Sequence, residues 1–228
     1  MFILLRRSLV MLAFAMGGIY SPALREQQKD AGLWSNISME AKVAKKLTVA
    51  VSQEFRFNEN ITELGTYFTD AGLGYKINKN IQVTANYRFI QKRRVDDSYS
   101  PRHRFYVDFK FQKKFKPIEL QFRTRLQDQY SDIGRASDGG IAEYYSRNKL
   151  SLKLDINKPF EPYLSVELFS PLNYPRINAF DNIRSSAGVE YALSKHNNFD
   201  LFYMIQKELQ VSNPITDFIV GVGYSYKW

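Results

Sequence analysis

Residues 47–57 read LTVAVSQEFRF and alternate with a period of two. Leu47, Val49, Val51, Gln53, Phe55 and Phe57 fall on one parity, and Thr48, Ala50, Ser52, Glu54 and Arg56 on the other. Successive side chains of an extended chain point to opposite faces, so this pattern predicts a strand with one apolar and one polar side. It recurs along nearly the whole chain, at 32–43, 67–77, 81–92, 103–111, 118–127, 143–154, 163–168, 183–191, 199–208 and 218–228. Short turns are expected at 44–46, 78–80, 113–117, 157–159 and 194–198. Longer loops are expected at 59–66, 93–101, 130–142 and 171–180, with a further loop near 212–215.

This pattern predicts an all-β, antiparallel transmembrane β-barrel of 10–12 strands, with short periplasmic turns and longer extracellular loops. Lys207, near a strand end, is the one full charge read on the apolar parity. An Arg or Lys facing lipid at mid-bilayer costs about 2–4 kcal/mol, which accounts for that scarcity. Aromatic residues gather towards both ends of the apolar faces. Phe55, Phe57, Tyr67, Tyr87, Phe89 and Phe105 lie towards the loops, and Tyr75, Phe111, Phe160, Tyr191, Tyr226 and Trp228 towards the turns. Two such girdles are expected at membrane interfaces. A soluble barrel with the apolar parity inside is the alternative, and it would leave a dozen charges as plain solvated surface. The segments number eleven, whereas single-chain bacterial barrels have even counts. Ten or twelve strands are therefore the practical expectation, either with one further strand or with the first segment not a regular wall strand.

Composition adds the address. The chain has 228 residues, no Cys, and a formal net charge of +9. That length suits one barrel domain, and the missing Cys excludes disulfides and thiolate chemistry. A mean hydropathy below zero decides nothing, because a membrane barrel averages an apolar face with a polar one. Arg6 and Arg7, an apolar run over 9–20 and Ser21-Pro22-Ala23 form an export signal, with cleavage expected after Ala23 and Gly18 a weaker option. An uncleaved anchor helix is the alternative. The expected division is a signal peptide at 1–23, an N-terminal segment at 24–31 and a single barrel at 32–228, located in the cell outer membrane. Loss of Arg6 and Arg7 would reduce the formal charge to +7.

The polar parity carries the candidate chemistry. Arg56, Arg88, Arg104, Arg123, Arg125, Arg147 and Arg184 face the lumen, interleaved with Glu54, Asp70, Asp108, Glu143, Glu167, Glu190 and Glu208. A barrel of this size lies between the filled eight-stranded kind and wide porins. The cluster therefore reads either as a salt-bridged plug or as a lumen recognising an anionic small ligand or ion, since guanidinium forks match carboxylate and phosphate. A hydrolase at the barrel rim, acting on lipid or peptide, is the alternative class, and His103 beside Asp96 and Asp97 is its only support. His196 lies in a short turn. The chain lacks a Gly-x-Ser-x-Gly elbow, a His-Glu-x-x-His pair and a phosphate-binding glycine loop. No cofactor or metal is expected, and the basic charge is too dispersed to indicate nucleic acid. The Gly72/Gly74 and Gly221/Gly223 pairs read as room for bulky neighbours or as strand bends.

Several segments also resemble a family, domain of unknown function 2490. They are GLW near the mature start, PRHRFYVDF at 101–109, RTRLQDQY at 123–130 and YSRNKLSLKLDI at 145–156. PYLSVELFSPL at 162–172, DNIRSSAGVEYALSKH at 181–196 and the end TDFIVGVGYSYKW continue it. The resemblance covers nearly the whole mature chain. It implies a Gram-negative outer-membrane β-barrel, and the terminal aromatic resembles the signal read by the barrel-assembly machinery. Outer-membrane lipid and that machinery are thus the implied partners; no activity, substrate or catalytic residue comes with the resemblance.

Overall fold

The computed structural model describes residues 28–131, 143–156, 159–173 and 180–228. The expected signal peptide, the loops over 132–142 and 174–179 and part of the 157–159 turn lie outside these. Eleven strands close into one barrel: β1 (Lys29–Ala44), β2 (Leu47–Asn58), β3 (Glu63–Lys76), β4 (Ile81–Arg93), β5 (Tyr99–Phe115), β6 (Ile118–Ser131), β7 (Glu143–Leu154), β8 (Phe160–Pro171), β9 (Asn182–Ala192), β10 (Asn197–Glu208) and β11 (Thr216–Lys227). Each strand pairs with its sequence neighbours in antiparallel register, as the short turns require.

The eleven segments counted in the sequence are all wall strands, within the expected 10–12, and only the preference for an even ten or twelve is corrected. An odd count closes because β1 and β11 pair parallel over twelve residues, from Lys29↔Thr216 to Glu40↔Lys227. The segment doubted as a wall strand is the sixteen-residue β1, paired on both edges and starting within the stretch set apart as 24–31. Two loops are also shorter than expected. Glu63 and Leu64 pair with Asn58 and Phe57 beyond a bulge, and Tyr99–Pro101 pair with Gln91–Arg93. Those loops shrink to 59–62 and 94–98.

The apolar parity faces outward, which excludes the inverted soluble barrel. Val51, Leu73, Leu164 and Leu201 are about half exposed, while Phe68, Ile90, Tyr106 and Ile219 on the other parity are buried. Cross-strand rings build the two belts: Tyr87 meets Phe105 at 5.1 Å near the loops, and Phe160 meets Tyr191 at 4.6 Å near the turns. Lys207 is not the sole charge on the outward parity. Asp128 also lies there near the loop end, accepting the Phe105 backbone N–H at 3.0 Å. Outward polar groups satisfy one another, as where Thr124 Oγ1 donates to Asn148 Oδ1 at 2.9 Å.

Three of the four noted glycines make room inside the barrel. A Cβ at Gly221 would overlap the Phe202 ring, one at Gly72 would overlap the Asn86 amide, and one at Gly74 would lie 2.6 Å from Thr48 Oγ1. Gly223 has ordinary space around it, and nothing in the packing requires glycine there.

Candidate functional site

Six strands carry the seven arginines inward, and the other parity of the same strands supplies the outer face. The ion pairs they form run mostly between neighbouring walls. Arg88 on β4 holds Asp70 on β3 through three contacts of 2.7–3.1 Å, and Arg125 on β6 holds Asp108 on β5 at 2.7 and 2.8 Å. Both are two-pronged guanidinium–carboxylate pairs, the geometry that Arg favours. Arg56 pairs with Glu54 two residues back on the same strand at 2.6 Å.

Glu167 on β8 is shared. Arg147 donates to it at 3.0 and 3.1 Å from β7, and Arg123 at 2.5 Å from β6, one strand further away. Arg184 on β9 lies at 4.0 Å from it. Arg104 differs from the other six: it makes no ion pair among the described residues, and its guanidinium rests on the Gln129 amide oxygen. Gln129 in turn donates to Glu143 at 3.1 Å.

Aromatic rings lie between these guanidiniums, a feature the alternation alone did not reveal. Trp34, Phe68, Tyr106 and Phe169 all point inward. Arg56 lies 3.6 Å over Trp34 and 4.8 Å over Phe68; Arg88 lies 3.7 Å over Phe68; Arg125 lies 3.8 Å over Tyr106. On the far side Arg147 and Arg184 sit 4.3 and 4.6 Å over Phe169, and Arg184 reaches back to Trp34 at 5.1 Å. Gln127 bridges the remaining gap by accepting from Arg147 at 3.5 Å. Ring faces attract cations most when water is excluded, and Arg88, Arg125 and Arg147 are each under 9% exposed. The Tyr106 hydroxyl also donates to Asp70 at 2.9 Å, tying β5 to β3 across β4. The signal that could have found these rings was their parity: Trp34 and Tyr106 fall on the polar face of their strands.

Cavities lie to either side of this layer, two towards the loops and two towards the turns, and no lining residue is shared across it. One loop-side cavity, of about 640 Å³, lies above Trp34 and Ile219. The turn-side cavity of about 540 Å³ is lined by both Lys and acidic residues, with Lys153 bound to Glu190 at 2.7 Å and to Glu161 at 3.3 Å.

The histidines do not join acids. His103 takes a 2.7 Å hydrogen bond with the Tyr87 hydroxyl and packs on Phe89, on the outward face. Asp96 accepts instead from the Ser98 hydroxyl and N–H, which hold its carboxyl below the usual range, and Asp97 pairs with Arg93 at 2.6 Å. His196 is exposed in its turn, where Nδ1 meets the Lys227 carbonyl at 2.6 Å. Among the described residues no cluster of His and acidic side chains is placed to hold a metal ion.

A family model described as "Protein of unknown function (DUF2490)" matches residues 31–215. The chain belongs to this family. The DUF2490 match runs from β1 to the loop before β11, so the layer described above lies almost wholly within it. No curated protein matches the chain. Among solved structures, the β-domain of the Bordetella autotransporter BrkA is similar in fold, at 14% identity and a TM-score of 0.47. That match covers 81% of this chain and 85% of the other.

Proposed function

We propose that this protein is an outer-membrane β-barrel whose lumen is closed, so that it works as a structural or ligand-binding barrel and not as an open pore. The outward apolar wall with its two aromatic belts supports the membrane setting. The observation that carries the closed reading is the guanidinium–aromatic layer spanning the lumen between β1 and β9. Ion conduction needs a wet path with weak sites along it, and a packed, paired layer offers none.

Planar-bilayer recordings of the refolded barrel test this directly. The wild type is expected to show no steady conductance. A stable anion-selective current would overturn the closed reading in favour of an anion path.

The topology makes a separate, checkable claim. With eleven strands, Gln28 and the 94–98 loop share one end of the barrel while Trp228 lies at the other. Epitope tags inserted before Gln28 and between Asp96 and Asp97 should therefore both be labelled on intact cells. Tags at 78–80 should be labelled only after the outer membrane is permeabilised. The opposite pattern would reverse the orientation.

A further inference from the structure

Just above the closed layer, on the loop side, Arg56, Arg104, Arg147 and Arg184 line a second cavity of about 200 Å³. Two of these four are compensated, Arg56 by Glu54 at 2.6 Å and Arg147 by Glu167 at 3.0 Å. The other two are compensated less. Among the described residues Arg104 rests on an amide oxygen alone, and Arg184 spends its Nε–H on the Gln206 amide oxygen at 2.6 Å, its share of Glu167 being a long 4.0 Å contact. Glu143 and Asp181 also line the cavity, yet neither forms an ion pair with Arg104 or Arg184. One step nearer the mouth on the same inward face of β5, the Arg102 Nε–H is buried without an acceptor among the described residues, as are the acceptor oxygens Asp181 Oδ1 and Asn182 Oδ1 in the cavity without a donor. A buried guanidinium without a counter-charge is costly, and an anion in the cavity would offset that cost.

We propose that this cavity binds a phosphate group, as inorganic phosphate or a small soluble phosphate monoester entering from the loop side. Arg104 and Arg184 reach it from β5 and β9, with three strands between them along the wall. Donors converging from well-separated walls suit a tetrahedral anion, whereas a planar carboxylate is matched by a single fork. The Phe169 ring beneath Arg147 and Arg184 fixes both guanidinium planes, so little ordering remains to be done on binding. A lipid headgroup presents the same chemistry. The wall, however, is hydrogen-bonded strand to strand all the way round, so a lipid has no side entrance to this cavity. The site does not depend on lumen closure, because an open barrel would carry the same four arginines.

The test is isothermal titration of the refolded full barrel with inorganic phosphate. Saturable binding at one site per barrel is expected, weakened about tenfold or more in Arg104→Gln and in Arg184→Gln, the loss of a charge-assisted contact in a desolvated site. The turn-side change Lys153→Gln should leave the affinity unchanged. Folding of each variant is checked by heat-modifiable gel mobility. If a Gln variant fails to fold, Arg104→Lys, which keeps the charge but loses the fork, should still bind more weakly than wild type. Absence of saturable binding by the folded wild type would overturn the site, as would undiminished affinity in both Arg104 and Arg184 variants. Binding of vesicles containing long-chain phosphatidic acid with no binding of free inorganic phosphate would overturn the soluble source. A conducting barrel that still binds phosphate sinks the closed-lumen reading alone, and a silent barrel that does not bind sinks only this one.

Discussion

Glu167→Ala is expected to destabilise the folded barrel by about 3–5 kcal/mol, the range for removing one partner of a buried ion pair. Glu167 is 5% exposed and is the carboxylate shared by Arg147, Arg123 and Arg184. Its loss leaves three guanidiniums facing each other around one vacated position, and the two closest have no second carboxylate within ion-pair distance among the described residues. Glu190 is the internal comparison. It pairs with Lys153 at 2.7 Å, but its side chain is 41% exposed, so Glu190→Ala should cost no more than about 1 kcal/mol. Urea unfolding followed by tryptophan fluorescence reads both, Trp34 lying within the layer itself. Adding Arg184→Ala to the Glu167 variant should recover part of the loss, because groups sharing one partner do not behave additively. Equal costs for Glu167 and Glu190 would mean that the layer is wet and that these pairs do not close it.

Arg placed on the outward face is the second large effect. Val49 and Leu73 are direct cross-strand partners on β2 and β3, and are 38% and 49% exposed in the barrel taken without its surroundings. If lipid covers them, Leu73→Arg or Val49→Arg should cost about 2–4 kcal/mol and reduce the folded fraction recovered in lipid vesicles. Ser52→Arg is the matched control, since Ser52 faces inward opposite Asp70. Gly72 is a poorer control, because any side chain there meets the Asn86 amide. A Ser52 variant that inserts worse than the Leu73 variant would reverse the assignment of faces.

The split between what could be read early and what could not follows particular residues. Parity placed all seven arginines inside without any knowledge of partners, because the direction of a side chain along a strand is a local property. The same parity placed Trp34 and Tyr106 inside. Their role as spacers between guanidiniums was not readable, since it depends on which residues of β2 and β6 arrive at the same height. The pairing of Arg56 with Glu54 lies within one strand and is visible in the sequence itself. Arg123 with Glu167 is different: the two belong to β6 and β8, and the pair exists only because the register sets both level with Lys149 on β7. The His103–Asp96 grouping failed for a related reason. Nearness in sequence put them together, but strand direction turned His103 outward to Tyr87 while the loop carboxylate turned to Ser98.

By itself, then, the sequence determined the elements and their two faces: a period of two over eleven segments, apolar on one parity and charged on the other, with nearly every outward charge near a strand end. These are short-range facts, set by backbone geometry and by the cost of placing a charge in an apolar surrounding. The tertiary structure alone decided how the wall closes and who meets whom inside it. The parallel β1–β11 seam, the sharing of Glu167 among three arginines and the lack of an ion pair at Arg104 among the described residues all depend on the register between strands far apart in the chain. Register is a property of the closed cylinder as a whole, because a shift at any one strand pair must be taken up by the others before the last edge can meet the first.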